Sequence, residues 1–281
     1  MSIRKAQQVI NGQAATDGAG VELVRVIGQP ALMDLDPFLL LDAFRSDNPD
    51  DYIAGFPPHP HRGFETVTYI LNGRMRHQDS AGNEGVIESG GIQWMTAGKG
   101  IVHSEMPEQQ DGLLEGFQLW INLPAAHKMD TPAYQEFDQA QIPTESRDGA
   151  LVKVITGETS MGTRGPVSQP LTDPLYLDVS LDPGAEFIER LAADHNAFLY
   201  VIEGGLLLAD SSDELLELGH DQLAVLELGD SVQLRAGDNG ARFLLVAGKP
   251  LQEPIARGGP FVMNTADEVR QAFSDYQRGN F

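Results

Sequence analysis

The chain contains no cysteine among its 281 residues, which excludes disulfide bonds and thiolate metal sites. Long apolar runs are also missing, because stretches such as FLLL (38–41) and FLLVAG (243–248) are far too short to span a bilayer. The first residues, MSIRKAQQVINGQAATDG, include no apolar segment of signal-peptide length. These absences predict a cytoplasmic protein that does not enter the membrane.

Basic residues are scarce, since 19 Lys and Arg stand against 41 Asp and Glu and the formal net charge is −22. A surface of this sign repels nucleic-acid phosphates and anionic lipid head groups. We therefore expect no direct nucleic-acid partner, and a protein partner, if there is one, should be basic.

Glycine and proline are abundant, at 30 and 17 residues, and they predict many turns in a β-rich fold. Three strand-like runs stand out: VELVRVIG (21–28), PFLLLDAF (37–44) and FETVTYIL (64–71). The dipeptide Asn72-Gly73 follows the third run, and it predicts a tight hairpin there.

Residues 59–105 carry two pairs of potential metal ligands. His59 and His61 open the stretch, and His103 and Glu105 close it. In an extended chain, residues i and i+2 point to the same face about 6.6 Å apart, close enough for both to bind one ion. The spacing predicts a small β-barrel that holds one metal ion on these four side chains.

Three imidazoles and one carboxylate favour a divalent first-row metal over calcium or magnesium, but these residues alone do not separate Fe, Mn, Ni, Cu and Zn. Four protein ligands on an octahedral ion leave two positions for water, dioxygen or a chelating substrate. A zinc-dependent isomerase or hydrolase is a weaker alternative that uses the same ligands.

Glu65 is an open question. It has the same strand parity as His59 and His61, so an unbroken strand directs it to the metal, whereas a twist at Gly63 changes its direction. It is a ligand, a hydrogen-bonding partner of an imidazole or a surface residue. The solitary histidines are assigned structural or surface roles: His77, His127, His195 and His220.

The second half of the chain repeats the first. YVIEG (200–204) matches YILNG (69–73), and the repeat aligns Arg190 and Ala192 with the first pair of histidines. The repeat predicts two barrels, of which only the first has metal ligands. We place the metal-binding barrel at 1–135.

The second barrel is predicted at 136–281, after a candidate linker within 125–150. A helix capped by Asn264 or Thr265 and running to about residue 277 is predicted in the tail, which packs on one of the barrels.

Four segments, in the correct order, resemble the pirin family of the cupin superfamily: PFLLLD, HPHRGFETVTYILNG, GGIQWMTAGKGIVHSEMP and GGPFVMNT. The resemblance implies an all-β fold of two tandem cupin (jelly-roll-like) β-barrels with a short C-terminal helix. It also implies Fe(II) in the first barrel, bound by His59, His61, His103 and Glu105, and no metal in the second. The general cupin pattern uses Glu65 as a ligand, whereas pirins take the carboxylate from Glu105.

The resemblance implies an activity as well. Several pirins resemble quercetin 2,3-dioxygenases, which open a flavonol ring with O2 and release carbon monoxide. Our leading hypothesis is such a dioxygenase, with a phenolic flavonol substrate and with Glu105 as the base that removes the proton of the 3-hydroxyl. The alternative is a non-enzymatic, iron-dependent regulator that binds a protein partner, because other pirins look like regulators of transcription factors or of a metabolic enzyme subunit.

Overall fold

A computed structural model describes residues 2–281 of the protein. The chain forms two compact units. The histidine unit consists of Gln13–Gln139 and Leu251–Phe281, and the companion unit consists of residues 2–12 and Ala140–Pro250.

The strands of the first half, in chain order, are β1 (Ile3–Arg4), β2 (Ala6–Asn11), β3 (Gln13–Asp17), β4 (Val21–Ile27), β5 (Phe38–Ser46), β6 (Phe56–His61), β7 (Phe64–Asn72), β8 (Arg74–Asp79), β9 (Glu84–Glu88), β10 (Ile92–Thr96), β11 (Ile101–Pro107), β12 (Leu114–Asn122) and β13 (Ala133–Phe137). The elements of the second half are β14 (Thr144–Arg147), β15 (Ala150–Thr156), β16 (Leu175–Leu181), β17 (Glu186–Arg190), β18 (Asn196–Ala209), β19 (Leu215–Gly219), β20 (Gln222–Leu226), β21 (Ser231–Gly248), β22 (Ala256–Gly258), β23 (Phe261–Met263) and helix α1 (Ala266–Gln277). Short 3₁₀ helices lie at Pro49–Asp51, Ala125–His127 and Gln139–Gln141.

The histidine unit is built from two open antiparallel sheets and not from one closed barrel. One sheet has seven strands in the order β13-β10-β7-β12-β5-β4-β3, and the other has four in the order β6-β11-β8-β9. The two sheets face each other, because the hydroxyl of Thr68 on β7 donates to the carboxylate of Glu105 on β11. Strand β7 lies inside the seven-stranded sheet and is buried along almost its whole length.

The companion unit contains one ten-stranded sheet, with β21 and β18 at its centre. Its core is a single cluster of aliphatic side chains and phenylalanines, among them Val179, Leu199 and Phe243. The segment YVIEG lies in β18, and YILN of YILNG ends β7. The β-sheet architecture of both halves therefore agrees with the predicted repeat.

The two units do not follow the predicted break after residue 135, because each end of the chain joins the unit that is formed mainly by the other half. Strand β2 pairs with β20, so the first residues join the companion sheet. The tail after residue 250 joins the histidine unit, because β23 and α1 pack there.

The candidate linker 125–150 includes β13, which pairs along its whole length with β10. A polar strand at the edge of a sheet has no apolar alternation, which is why it resembles a linker in sequence.

The predicted hairpin at Asn72-Gly73 is wrong. Gly73 has a φ of +90°, as a tight turn requires, but β7 pairs with β10 and β12 while β8 joins the other sheet. The chain therefore uses this turn to cross between the two sheets. It crosses again at Gly90, between β9 and β10.

The tail adds the hairpin of β22 and β23 and then α1. Thr265 and Glu268 form a reciprocal capping box at the start of the helix, as the sequence predicts. Val269 and Ala272 are buried, and Phe273 contacts Phe261 with ring centroids 4.8 Å apart. No helix among the described residues has the length and apolar character that crossing a bilayer requires.

Lys128 fastens the tail to the sheets. It is 1% exposed, and its Nζ donates to the carbonyl of Gly63 at 2.7 Å, to Asn122 Oδ1 at 2.5 Å and to the carbonyl of Val262 at 3.0 Å. Burial lowers the pKa of this amine to about 8. Arg62 makes a second attachment through an ion pair with Asp275 at 2.8 Å.

Candidate metal centre

Three histidines converge where β6 and β11 pair. His59 lies opposite His103 in the antiparallel register, and His61 follows on the same face of β6. The ring centroids are 4.4 to 4.9 Å apart, and one ring nitrogen from each lies within 4.8 Å of the other two. This is the one group of three potential ligands among residues 2–281. The predicted i, i+2 geometry of the first pair is therefore present.

The hydrogen bonds of the first pair fix which nitrogen can bind a cation. His59 Nδ1 is 2.8 Å from the carbonyl of Pro57, and His61 Nδ1 is 3.3 Å from the carbonyl of Pro260. A carbonyl only accepts, so each Nδ1 carries the proton and each Nε2 carries a lone pair. These two Nε2 atoms are only 3.0 Å apart. Two ligands that are each about 2.1 Å from one ion, at roughly a right angle, have this separation.

His103 provides the third lone pair. Its Nε2 is buried and has no hydrogen-bond partner among the described residues. A buried polar atom without a partner is costly, and a bound cation removes that cost. The donor set therefore fits a metal ion.

The electrostatic environment keeps the imidazoles of His61 and His103 neutral. Burial, reinforced by the neighbouring His59, lowers the pKa of His61 to about 3. Burial and the adjacent histidines also hold the pKa of His103 well below its usual range. Neutral imidazole is the form that binds a metal, so the site is ready for an ion at neutral pH.

Glu105 lies two residues beyond His103 on β11, and it is 1% exposed. It is not a member of the histidine group. Its Oε1 accepts from Thr68 Oγ1 at 2.5 Å, and its Oε2 accepts from Gln118 Nε2 at 2.6 Å. Trp120 Nε1 in turn donates to Gln118 Oε1 at 3.2 Å, which orients the amide. The carboxylate is thus fixed beside the histidines by donors of the facing sheet, and its role as fourth ligand stays a prediction.

Glu65 does not continue the face of the histidines, because the strand is interrupted before it. Gly63 has a φ of +88°, β6 ends at His61, and β7 starts in the other sheet. Phe64 packs on His61, with ring centroids 5.0 Å apart, so the next residue points to the opposite face of β7. There Glu65 Oε1 accepts from Thr96 Oγ1 at 2.6 Å.

His77 has a position that sequence reasoning missed. It lies on β8, fully buried, with Nδ1 3.5 Å from His103 Nδ1 and Nε2 3.1 Å from Asp79 Oδ2. If Nε2 donates to Asp79, Nδ1 can accept from His103, and this leaves His103 Nε2 as a lone pair. Partners of this kind orient metal-binding histidines. The i, i+2 spacing of His77 and Asp79 was the available sequence signal.

A cavity of about 600 Å³ opens beside the histidines. His59, His61, Gln118 and Trp120 line it, together with Phe44 and other apolar residues. An apolar cleft of this size with a few polar groups is typical of small-molecule sites. The tail contributes to its wall through residues 257–260.

Comparison with known proteins agrees with this architecture. A family model described as Pirin matches residues 20–121, and one described as Pirin C-terminal cupin domain matches residues 176–281. A pirin-like protein of Caulobacter vibrioides is 53% identical over 100% of both chains. The chain belongs to the pirin family. Human pirin is 43% identical, over 98% of this chain and 93% of its own length.

Among solved structures, the pirin fold of this chain is similar to a crystal structure of quercetin 2,3-dioxygenase from Acinetobacter baumannii. The TM-score is 0.90 and the identity 33%, over 100% of this chain and 99% of that one. The predicted pirin membership and the two-cupin fold are therefore confirmed.

Proposed function

We propose that this pirin is a metal-dependent dioxygenase that opens the ring of quercetin-like flavonols with O2. The observation that carries the proposal is the convergence of three imidazoles at the edge of a cavity of about 600 Å³. The similarity to a structure named quercetin 2,3-dioxygenase supports the substrate class.

The proposed metal is Fe(II), held by His59, His61 and His103, with Glu105 as the fourth ligand. When bound, it supplies a Lewis acid and a redox centre for reaction with dioxygen. The neutral nitrogen donors suit a first-row transition metal.

The protein's own side chains would bind and orient the substrate. Trp120 forms part of the cavity wall, where the flavonol ring system can contact it. The carboxylate of Glu105 would accept the proton of the 3-hydroxyl, while Thr68 and Gln118 keep that carboxylate in place through their hydrogen bonds. The apolar wall limits access of water to the electron-rich ring.

The proposal is tested by oxygen uptake with quercetin, measured together with metal content for wild type, Glu105→Gln and Glu65→Gln. We expect Glu105→Gln to lose about a hundredfold or more of the oxygen uptake, because a general base contributes roughly that much, and to retain less metal. Glu65→Gln should keep the metal and most of the activity, because its side chain points away from the histidines.

Iron-loaded wild type that consumed no oxygen with quercetin and behaved like Glu105→Gln would overturn the proposal. Loss of metal from Glu65→Gln alone would reverse the ligand assignment. Capture of a protein partner that depends on metal oxidation, without flavonol turnover, would favour the regulatory alternative.

A further inference from the structure

Arg257 is the feature of the cavity wall that the proposed oxygenation does not use. It lies on β22 in the tail, is exposed, and lines the cavity that also exposes His59 and His61. Its guanidinium carbon is 4.8 Å from the ring centroid of Trp120, which makes a cation–π contact. The same indole also contacts the metal centre edge-on, because the His61 and Trp120 ring centroids are 5.1 Å apart with the rings 71° from parallel. Trp120 therefore bridges the guanidinium and the histidines.

Four charged side chains line this cavity: Asp17, Arg25, Asp42 and Arg257. Arg25 binds both carboxylates. Its Nε and Nη2 donate to Asp42 at 2.9 and 2.7 Å, and Nη2 also donates to Asp17 at 2.8 Å. Asp17 and Asp42 are therefore already neutralised in part by a cation that holds them in fixed positions.

Arg257 is attracted by the carboxylates of Asp42 and Asp17 but is not bound by them. No carboxylate of the described residues forms an ion pair with it, and its one hydrogen bond is a long contact of 3.4 Å from Nη1 to the carbonyl of Leu39. A guanidinium has five N–H donors in a planar fork that matches a carboxylate. Most of this donor capacity is left for water or for a ligand in the cavity.

We propose that the cavity selects a planar phenolic ligand that carries an ionised carboxylate. The carboxylate binds Arg257, the ring contacts Trp120 in the cavity wall, and the phenolic oxygens reach the histidines. The last placement rests on the proposed function, whereas the selectivity for a carboxylate rests on the cavity charges alone. Arg257 is thus a specificity-determining residue that the tail supplies to the metal centre.

The test compares two matched ligands, a flavonol with a carboxylate on its outer ring and the methyl ester of the same compound. Binding is measured without oxygen, by quenching of tryptophan fluorescence. Of the two tryptophans, Trp120 lines the cavity and Trp94 does not. We expect wild type to bind the acid about tenfold more tightly than the ester, as one charge-assisted pair allows. The preference should weaken as salt is added.

Arg257→Met should lose this preference while its affinity for the ester stays within about twofold, and Arg257→Lys should retain part of it. Arg270→Met is the control for net charge, because Arg270 lies on the exposed face of α1 and does not line the cavity. It should bind both ligands like wild type.

Three results would overturn the inference: equal binding of acid and ester by wild type, an unchanged preference in Arg257→Met, or equal loss of both ligands in that variant. The last result would make Arg257 a structural residue. Selective acid binding without oxygen uptake would remove the proposed activity and keep the inference. Oxygen uptake with equal use of acid and ester would support the proposed activity and overturn the inference about Arg257.

Discussion

The side chains of the metal centre owe their chemistry to a few contacts that each fix one atom. The carbonyls of Pro57 and Pro260 hold the protons of two imidazoles away from the centre, and His77 can do the same for His103. Because each tautomer is fixed from outside, the three Nε2 atoms present lone pairs to the same point without any ion. The residues behind the ligands therefore matter as much as the ligands themselves.

Lys128 gives a prediction about pH. Its pKa is about 8 in the folded protein, against an ordinary value of 10.5 in an unfolded chain. Between these values the unfolded state binds more protons, so the free energy of unfolding should rise with pH. We expect it to rise by about 3 kcal/mol more across this window in wild type than in Lys128→Met. Urea unfolding at several pH values measures the difference.

The matched control for this prediction is Lys99→Met, since Lys99 is an exposed residue of the same unit. Its pH dependence should follow that of wild type. Parallel curves of unfolding free energy against pH for wild type and Lys128→Met would contradict the lowered pKa of the buried amine.

The convergence of His59 and His61 could be predicted from sequence because their spacing is local. His59 and His61 need only an extended strand to share a face. His77 could not be identified in this way, since its proximity to His103 depends on pairing between β8 and β11. Glu65 was ambiguous for a similar reason, because one glycine decides which face it takes.

At the scale of elements, Gly63 separates the strand of the ligands from the strand behind them. Its positive φ turns the chain from the four-stranded sheet into the seven-stranded sheet. It also lies against the tail, because a Cβ at this position would overlap the carbonyl oxygen of Val262. The same glycine thus sets the direction of β7 and makes room for β23.

We expect Gly63→Ala to destabilise the protein and to lower its metal content. Gly82→Ala is the matched control, because Gly82 has a similar φ of +93° but no atom within 4 Å of an added Cβ. Gly82→Ala should cost about 1 kcal/mol for backbone strain alone. Gly63→Ala should cost about 2 kcal/mol more, since the carbonyl of Val262 must move.

Denaturant unfolding and metal analysis of both variants check this prediction. Equal losses of stability and of metal in the two variants would show that the contact of Gly63 with the tail does not contribute to either.

Element types were easier to predict from sequence than element partners. The runs at 21–28, 37–44 and 64–71 are strands, and the capped helix is present. The hairpin predicted at Asn72-Gly73 is absent because a dipeptide specifies a turn but does not specify that the two strands it connects pair with each other. Where a jelly-roll chain alternates between sheets, tight turns also connect strands that do not pair.

For the whole molecule, we predict one metal ion per chain. The repeat aligns Arg190 and Ala192 of the companion unit with the first two ligands, and no second group of three ligands occurs among the described residues. His59→Ala should abolish metal binding, whereas Arg190→Ala, its counterpart in the repeat, should leave the stoichiometry unchanged. Elemental analysis of the purified proteins measures both.

Removal of the metal should lower the thermal unfolding midpoint of wild type. An ion present at about a hundred times its dissociation constant stabilises the folded state by about 2.7 kcal/mol. A chelator should therefore lower the unfolding midpoints of wild type and Arg190→Ala by the same amount and leave the midpoint of His59→Ala unchanged. A lower midpoint of His59→Ala after chelation, or two metal ions per chain in wild type, would contradict the prediction of a single site.

The attachment of the tail to the histidine unit has a consequence for how the protein is made. Translation delivers the strands with all four predicted ligands first, then residues 140–250 of the companion unit, and only afterwards Arg257 and Pro260. A nascent chain can thus gather its histidines while one wall of the cavity has not yet been synthesised. A chain cut short within the companion unit would lack Arg257 and Pro260, and with them one wall of the cavity and the carbonyl that orients His61.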